Sequence, residues 1–231
     1  MGDFFPKLTE LFTTPEYIDA LLHGFLLTLE ISFFAVVIGF LLGLLIALVE
    51  TSKSKWLKPI RFVCRVYVTI IRGTPMALQL FIVFFVIFAI RDFPQVIIAI
   101  LAFAFNSAAY SSEIIRGGIL SVDMGQTEAG LALGLSPFTV FYKIVFPQAI
   151  KNIIPAIGNE IITVFKETAI VSMVGMYDLN MAAKDIGSGQ NMASYIVPMF
   201  TAALFYLAVV YLITLIIKLI EKRMRRADVG R

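Results

Sequence analysis

Leu21 to Val49 is a continuous apolar stretch whose only formal charge is Glu30. It exceeds the roughly 20 residues that an α-helix needs to cross a bilayer. Inside lipid no water is present to satisfy backbone N–H and C=O groups, so such a stretch must be a helix. The chain as a whole agrees: 59% of its residues are hydrophobic and its mean hydropathy is +0.90. Soluble domains lie nearer 45–50% apolar. The expectation is an all-α integral membrane protein.

Further apolar segments predict five spans in one transmembrane domain over residues 1–231, at about 21–49, 56–90, 96–120, 153–176 and 196–220. Before them, Phe4, Phe5, Leu8, Leu11 and Phe12 recur at helical spacing and predict a short interfacial helix. Gly39 and Gly43 form a small-xxx-small pair that lets the first span approach a neighbour closely. Arg72-Gly73-Thr74-Pro75 predicts a kink in the second span, after which Pro75 to Ile90 adds about 24 Å of helix. His23, the one histidine, reads as a rim residue, and Cys64 as plain packing that excludes an internal disulfide.

Two spans are too polar to face lipid. The third places Asn106, Tyr110 and Glu113 on one helical face. The fourth carries Asn159, Glu160, Thr163, Lys166 and Glu167. A charge at the bilayer centre costs about 2.5–3.5 kcal/mol on insertion scales, so these groups must pair or line a cavity.

Cations flank the spans. Lys53, Lys55, Lys58, Arg61 and Arg65 follow the first, and Lys222, Arg223, Arg225 and Arg226 follow the last. The positive-inside bias predicts that both clusters are cytoplasmic, with the N-terminus outside. Their placement beside spans speaks against nucleic-acid binding. The chain has no G-x-x-x-x-G-K-[ST] run, no metal-ligand cluster and no catalytic constellation.

Residues 121–150 form a long polar interruption that builds structure of its own. Asp123 followed by Gln126 predicts a capping box for a helix from Met124. Gly134 suits a left-handed helix end, and Ser136-Pro137 a second helix start. Pro147 and Pro155 punctuate the return to the fourth span.

The same stretch resembles the EAA loop of ABC-importer permease subunits: Glu128-Ala129-Gly130, Gly134, Ile144 and Pro147 stand at the family's spacing. Gly130 replaces the third residue of the triplet and Phe146 the leucine before the proline. Arg72-Gly73-Thr74-Pro75, Phe146-Pro147-Gln148-Ala149, Asn159 and Lys166-Glu167-Thr168 resemble the polar-amino-acid branch. The resemblance spans roughly residues 20–220 and implies a multi-pass permease in a prokaryotic cell membrane.

By that resemblance the chain catalyses nothing and binds no cofactor; ATP-Mg would sit on partner ATPase subunits. An extracytoplasmic amino-acid-binding protein and a second permease, identical or paralogous, would complete the importer. Glu128, Ala129, Gly130, Gly134 and Pro147 would couple to the ATPase. Asn106, Glu113, Asn159, Glu160, Thr163 and Lys166 offer the acceptors and donors an amino acid needs. The carboxylates Glu113, Glu160 and Glu167 outnumber Lys166, which tilts the expectation toward arginine, lysine or histidine. The competing reading is an ion-coupled transporter or channel with no ATPase.

Overall fold

In the computed structural model the described residues are 4–52, 54–89, 92–190, 192 and 194–229, with side chains described as far as Met224. Lys53 and the side chains of Arg225 and Arg226, used above to orient the chain, lie outside that set, as does Ile90. All regular structure among the described residues is helical.

Helix α1 (Phe4–Thr13) leads into the 37-residue α2 (Pro15–Thr51). A 3-10 turn (Lys55–Leu57) opens α3 (Lys58–Arg72). Then come α4 (Met76–Ile82) with a π turn (Val83–Ile87), and α5 (Gln95–Leu120). Helix α6 (Met124–Ala132) and α7 (Pro137–Val140) precede a second π turn (Phe141–Val145) and α8 (Phe146–Glu167). A 3-10 segment (Thr168–Val174), α9 (Leu179–Ser188) and α10 (Ile196–Val229) complete the chain.

Among the described residues, three helices are long and apolar enough to cross a membrane: α2, α5 and α10. A fourth span arises if Lys55–Arg72 and Met76–Ile87 count together. The expected kink between these two is a full break, because Pro75 takes an extended backbone (φ −64°, ψ 138°) and Gly73 caps α3. Helix α8 starts seven residues before the expected span and, with its polar face, is not apolar enough to count by hydropathy. Its helix gives way at Glu167 to the 3-10 segment, which Gly175 ends at φ +84°. Helix α10 runs on through Lys222 and Arg223, past the expected end near Ile220.

The chain divides into two compact units, each discontinuous in sequence. The boundary cuts through α2, α5, α8 and α10, so a long helix serves both units in turn. The first unit comprises Met1–Val36, Pro75–Ala104 and Ile162–Leu212. Its core joins Ile31 and Ala35 of α2 to Leu80, Phe84, Phe103, Val164 and Val171. A second cluster unites Leu11, Leu21, Leu179, Ala183 and Ile186. Helix α1 is therefore not merely interfacial: Leu11 is fully buried and Phe4 meets the Phe200 ring edge-on at 6.1 Å. Gly24 lets α2 touch the backbone at Asp178, since a Cβ there would lie 2.7 Å from the Asp178 carbonyl oxygen.

The second unit comprises Val37–Thr74, Phe105–Ile161 and Ile213–Arg231. Ala47, Ile115, Ala149 and Ile153 form its core. Between apolar helices in lipid, association rests on close packing, which small residues permit. Gly43 fits that rule: a Cβ would stand 2.7 Å from Ser111 Cβ and 2.8 Å from the Ala108 carbonyl oxygen.

Candidate functional site

The loop after α5 is built by its caps. Asp123 Oδ1 accepts from the Gly125 N–H at 2.6 Å, and the Gln126 N–H bonds to the Asp123 backbone carbonyl at 3.1 Å. The cap is thus an Asp123 turn at the second helical position rather than the expected contact at Gln126. At the other end Gly134 has φ +80°. The Leu135 N–H reaches the Gly130 carbonyl at 3.2 Å and the Gly134 N–H reaches that of Leu131 at 2.9 Å. This pair of bonds is a Schellman motif, which only a left-handed residue can close. Ser136 then caps α7 through the Thr139 N–H at 3.2 Å.

The expected loop of two short helices is modified beyond that point. Helix α7 passes through the π turn directly into α8, where the Phe146 N–H bonds back to the Phe141 carbonyl. The widened turn carries the chain past Pro147, which has no N–H to give. Glu128, Ala129, Gly134 and Pro147 are exposed, as a coupling surface requires. Gly130 is not: it is buried, and a Cβ there would lie 2.8 Å from Val140 Cγ2 and 3.1 Å from Ile144 Cδ1. Its small size lets α6 pack against Val140 and Ile144. An exposed aromatic ladder, missed in the sequence, flanks it: Phe138 stacks on Tyr142 at 6.2 Å and Tyr142 on Phe146 at 6.3 Å. The i, i+4 spacing of the three rings was the available signal.

The second feature is a charged cavity of about 640 Å³ in the second unit, lined by residues of α2, α3 and α5. Glu113 accepts two hydrogen bonds from Arg116, at 2.7 and 2.8 Å, and a third contact from Arg72 at 3.2 Å. The Arg72 guanidinium also lies over the Tyr110 ring, 5.5 Å from its centroid. Arg65 approaches Glu50 at 3.9 Å. Among these, sequence reasoning had singled out Glu113 as a substrate contact and Tyr110 as part of its face; Glu50, at the end of a span, gave no periodic signal.

The remaining sequence-predicted contacts divide between the units. Asn106, Asn159 and Glu160 belong to the second, where Asn106 and Glu160 are buried at 5% and 9% exposure. Thr163 and Lys166 belong to the first and are exposed. Arg72 and Arg116 are both engaged by Glu113.

Comparison with known proteins places this architecture. The profile described as "Binding-protein-dependent transport system inner membrane component" matches residues 26–226. A Rickettsia felis permease whose name provisionally assigns it to glutamine transport is 40% identical over 207 residues, covering 88% of this chain and 92% of its own. The arginine transport system permease protein ArtQ of Bacillus subtilis is 38% identical over 218 residues, covering 94% and 97%. A crystal structure titled as an amino acid ABC transporter with histidines superposes with a TM-score of 0.82 at 38% identity, covering 92% of this chain and 98% of that one. The chain therefore belongs to the binding-protein-dependent inner-membrane component family: it is a multi-pass, non-catalytic permease subunit of an ABC importer, a class that works with an ATPase and a substrate-binding protein.

Proposed function

We propose that this permease imports polar amino acids, driven by ATP hydrolysis on ATPase subunits that dock against Glu128, Ala129 and the Gly134 turn. The supporting observation is the capped α6 with its Schellman end, a rigid, exposed knob whose shape is fixed by three backbone-directed bonds. Relatives named for glutamine and arginine transport supply the substrate class. Two permease chains, identical or paralogous, would enclose the path, since the described residues of one chain offer three or four spans by length and composition. Asn106, Asn159, Glu160, Thr163 and Lys166 remain the contacts proposed for substrate along that path.

The expectation of a cationic substrate loses part of its basis. Glu113 counted toward a surplus of carboxylates, yet two arginines hold it. Neutral and basic amino acids are therefore proposed on equal terms. The test is ATPase activity and uptake by the reconstituted permease–ATPase complex, with its binding protein and a panel of amino acids. ATP-dependent uptake, stimulated by a polar amino acid and indifferent to imposed ion gradients, is the expected result. Uptake that follows an ion gradient without ATP overturns it.

A further inference from the structure

We infer that Glu50 is the ammonium-binding residue of an amino-acid site in the cavity between α2, α3 and α5, a site outside the contacts proposed for the path, Glu113 apart. The inference rests on the amino-acid reading above and adds a residue and a place to it.

Glu50 is an expensive residue where it stands. It lies in the last turn of α2, where the negative end of the helix dipole opposes an anion. Its side chain is only 4% exposed, and Oε2 is buried with no hydrogen-bond partner. The nearest cation, Arg65 Nε, is 3.9 Å from Oε1, too far for a hydrogen bond, and Arg65 is itself 66% exposed. A buried carboxylate oxygen without a donor is costly to the fold. Glu113, in the same cavity, shows the alternative, since both its oxygens are bonded by arginine. Glu50 lines the cavity, so a ligand bound there can bring a donor up to its under-satisfied carboxylate.

The cavity specifies what such a ligand carries. Its charged lining is Glu50 and Glu113 against Arg65, Arg72 and Arg116, a balance of 3 − 2 = +1. A ligand that places an ammonium on Glu50 must therefore bring an anionic group as well. Arg72 is the group to meet it. Its face is taken by Tyr110 and one nitrogen by Glu113, yet its side chain remains 42% exposed. A guanidinium has further N–H donors to offer a carboxylate. About 640 Å³ is room for one small ligand of this kind. The residual positive charge disfavours a second cation, so a neutral amino acid such as glutamine should bind here better than arginine.

Two sources carry an ammonium beside an anionic oxygen group: a free α-amino acid and the headgroup of phosphatidylethanolamine. We assign the free amino acid, and the test separates the two. The permease–ATPase complex is placed in nanodiscs of phosphatidylcholine and phosphatidylglycerol, free of phosphatidylethanolamine, and titrated with radiolabelled L-glutamine by equilibrium dialysis. Glu50→Gln should weaken glutamine binding about tenfold or more, the loss expected of one charged hydrogen bond. Glu50→Asp should restore part of it. The wild-type complex should bind the deaminated analogue of glutamine at least as weakly, an arm that needs no mutant to fold. Equal binding of glutamine by wild type and Glu50→Gln overturns the assignment. So does undiminished binding of the deaminated analogue. Retention of phosphatidylethanolamine, lost in Glu50→Gln and seen by native mass spectrometry with no glutamine binding, overturns it too. ATP-driven uptake by the wild type reads the importer function separately. Uptake with Glu50-independent binding sinks this inference alone, while absence of uptake sinks the importer reading.

Discussion

Asp178 shows how a single side chain can oppose the fold that it helps to shape. It caps α9 by accepting from the Met181 N–H at 2.9 Å, yet it is fully buried and its Oδ2 has no partner. Burial pushes its carboxyl up from 3.8 to about 6, against the pull of the backbone N–H groups at Met181 and Asn180. The folded value lies above the unfolded one. The stabilisation from the protonated form is therefore complete below pH 3.8 and lost as pH rises through about 6. A displacement of about 2 units is worth on the order of 3 kcal/mol. Asp178→Asn keeps the capping oxygen and removes the buried charge. Its melting temperature in detergent should exceed that of the wild type at pH 8, and the gap should close by pH 4. A gap that stays constant from pH 4 to 8 would show that this carboxyl titrates as it does in water.

At the scale of elements, Gly130 within α6 and Gly134 just past its end have different reasons to be glycine, and the sequence revealed only one of them. Gly134 was legible, because a helix end followed by Ser-Pro needs a left-handed residue, and φ +80° follows. The burial of Gly130 was not legible, because a motif gives spacing but not which face is inward. Its burial depends on Val140 and Ile144, on the far side of the turn. The same limit applies to the junction of α7 and α8. Pro147 reads as a breaker in sequence, but a π turn absorbs it. The spans that were legible are those long and apolar enough on average to cross a membrane, α2, α5 and α10. The charged cavity was not, since Glu50 lies on α2, Arg65 and Arg72 on α3, and Glu113 and Arg116 on α5, so no single helical spacing unites them. The two glycines give a paired prediction. Gly134→Ala should cost about 1 kcal/mol for a Cβ at positive φ with nothing nearby to strike. Gly130→Ala gains helix propensity of about 1 kcal/mol but must displace Val140, at about 1–3 kcal/mol for overpacking. Adding Val140→Ala should relieve Gly130→Ala and leave Gly134→Ala unaffected. Thermal melts of the two glycine variants, Val140→Ala and the two doubles decide it, and additive losses throughout would dismiss the packing argument.

At the scale of the whole molecule, the coupling proposal stands or falls with orientation. Every function assigned to α6 requires that it face the compartment where ATP is. The charge bias that predicts this comes from Lys55, Lys58, Arg61 and Arg65 near one end of α3 and from Lys222 and Arg223 at the end of α10. A positive-inside bias acts on short flanking segments, and both groups are adjacent to helices long enough to span or to begin a span. Three exposed positions report on it: Ser54 beside α3, Leu133 at the end of α6 and Gln190 after α9. Single cysteines at these positions, in a Cys64→Ala background, should separate into two groups when intact cells meet a membrane-impermeant thiol reagent. Ser54→Cys and Leu133→Cys should react only after the cells are opened, and Gln190→Cys should react at once. The separation matters more than any one site, because an inverted chain would exchange the two groups rather than blur them. Labelling of Leu133→Cys from outside, with Gln190→Cys protected, would put α6 on the wrong side of the membrane for an ATPase and end the coupling proposal.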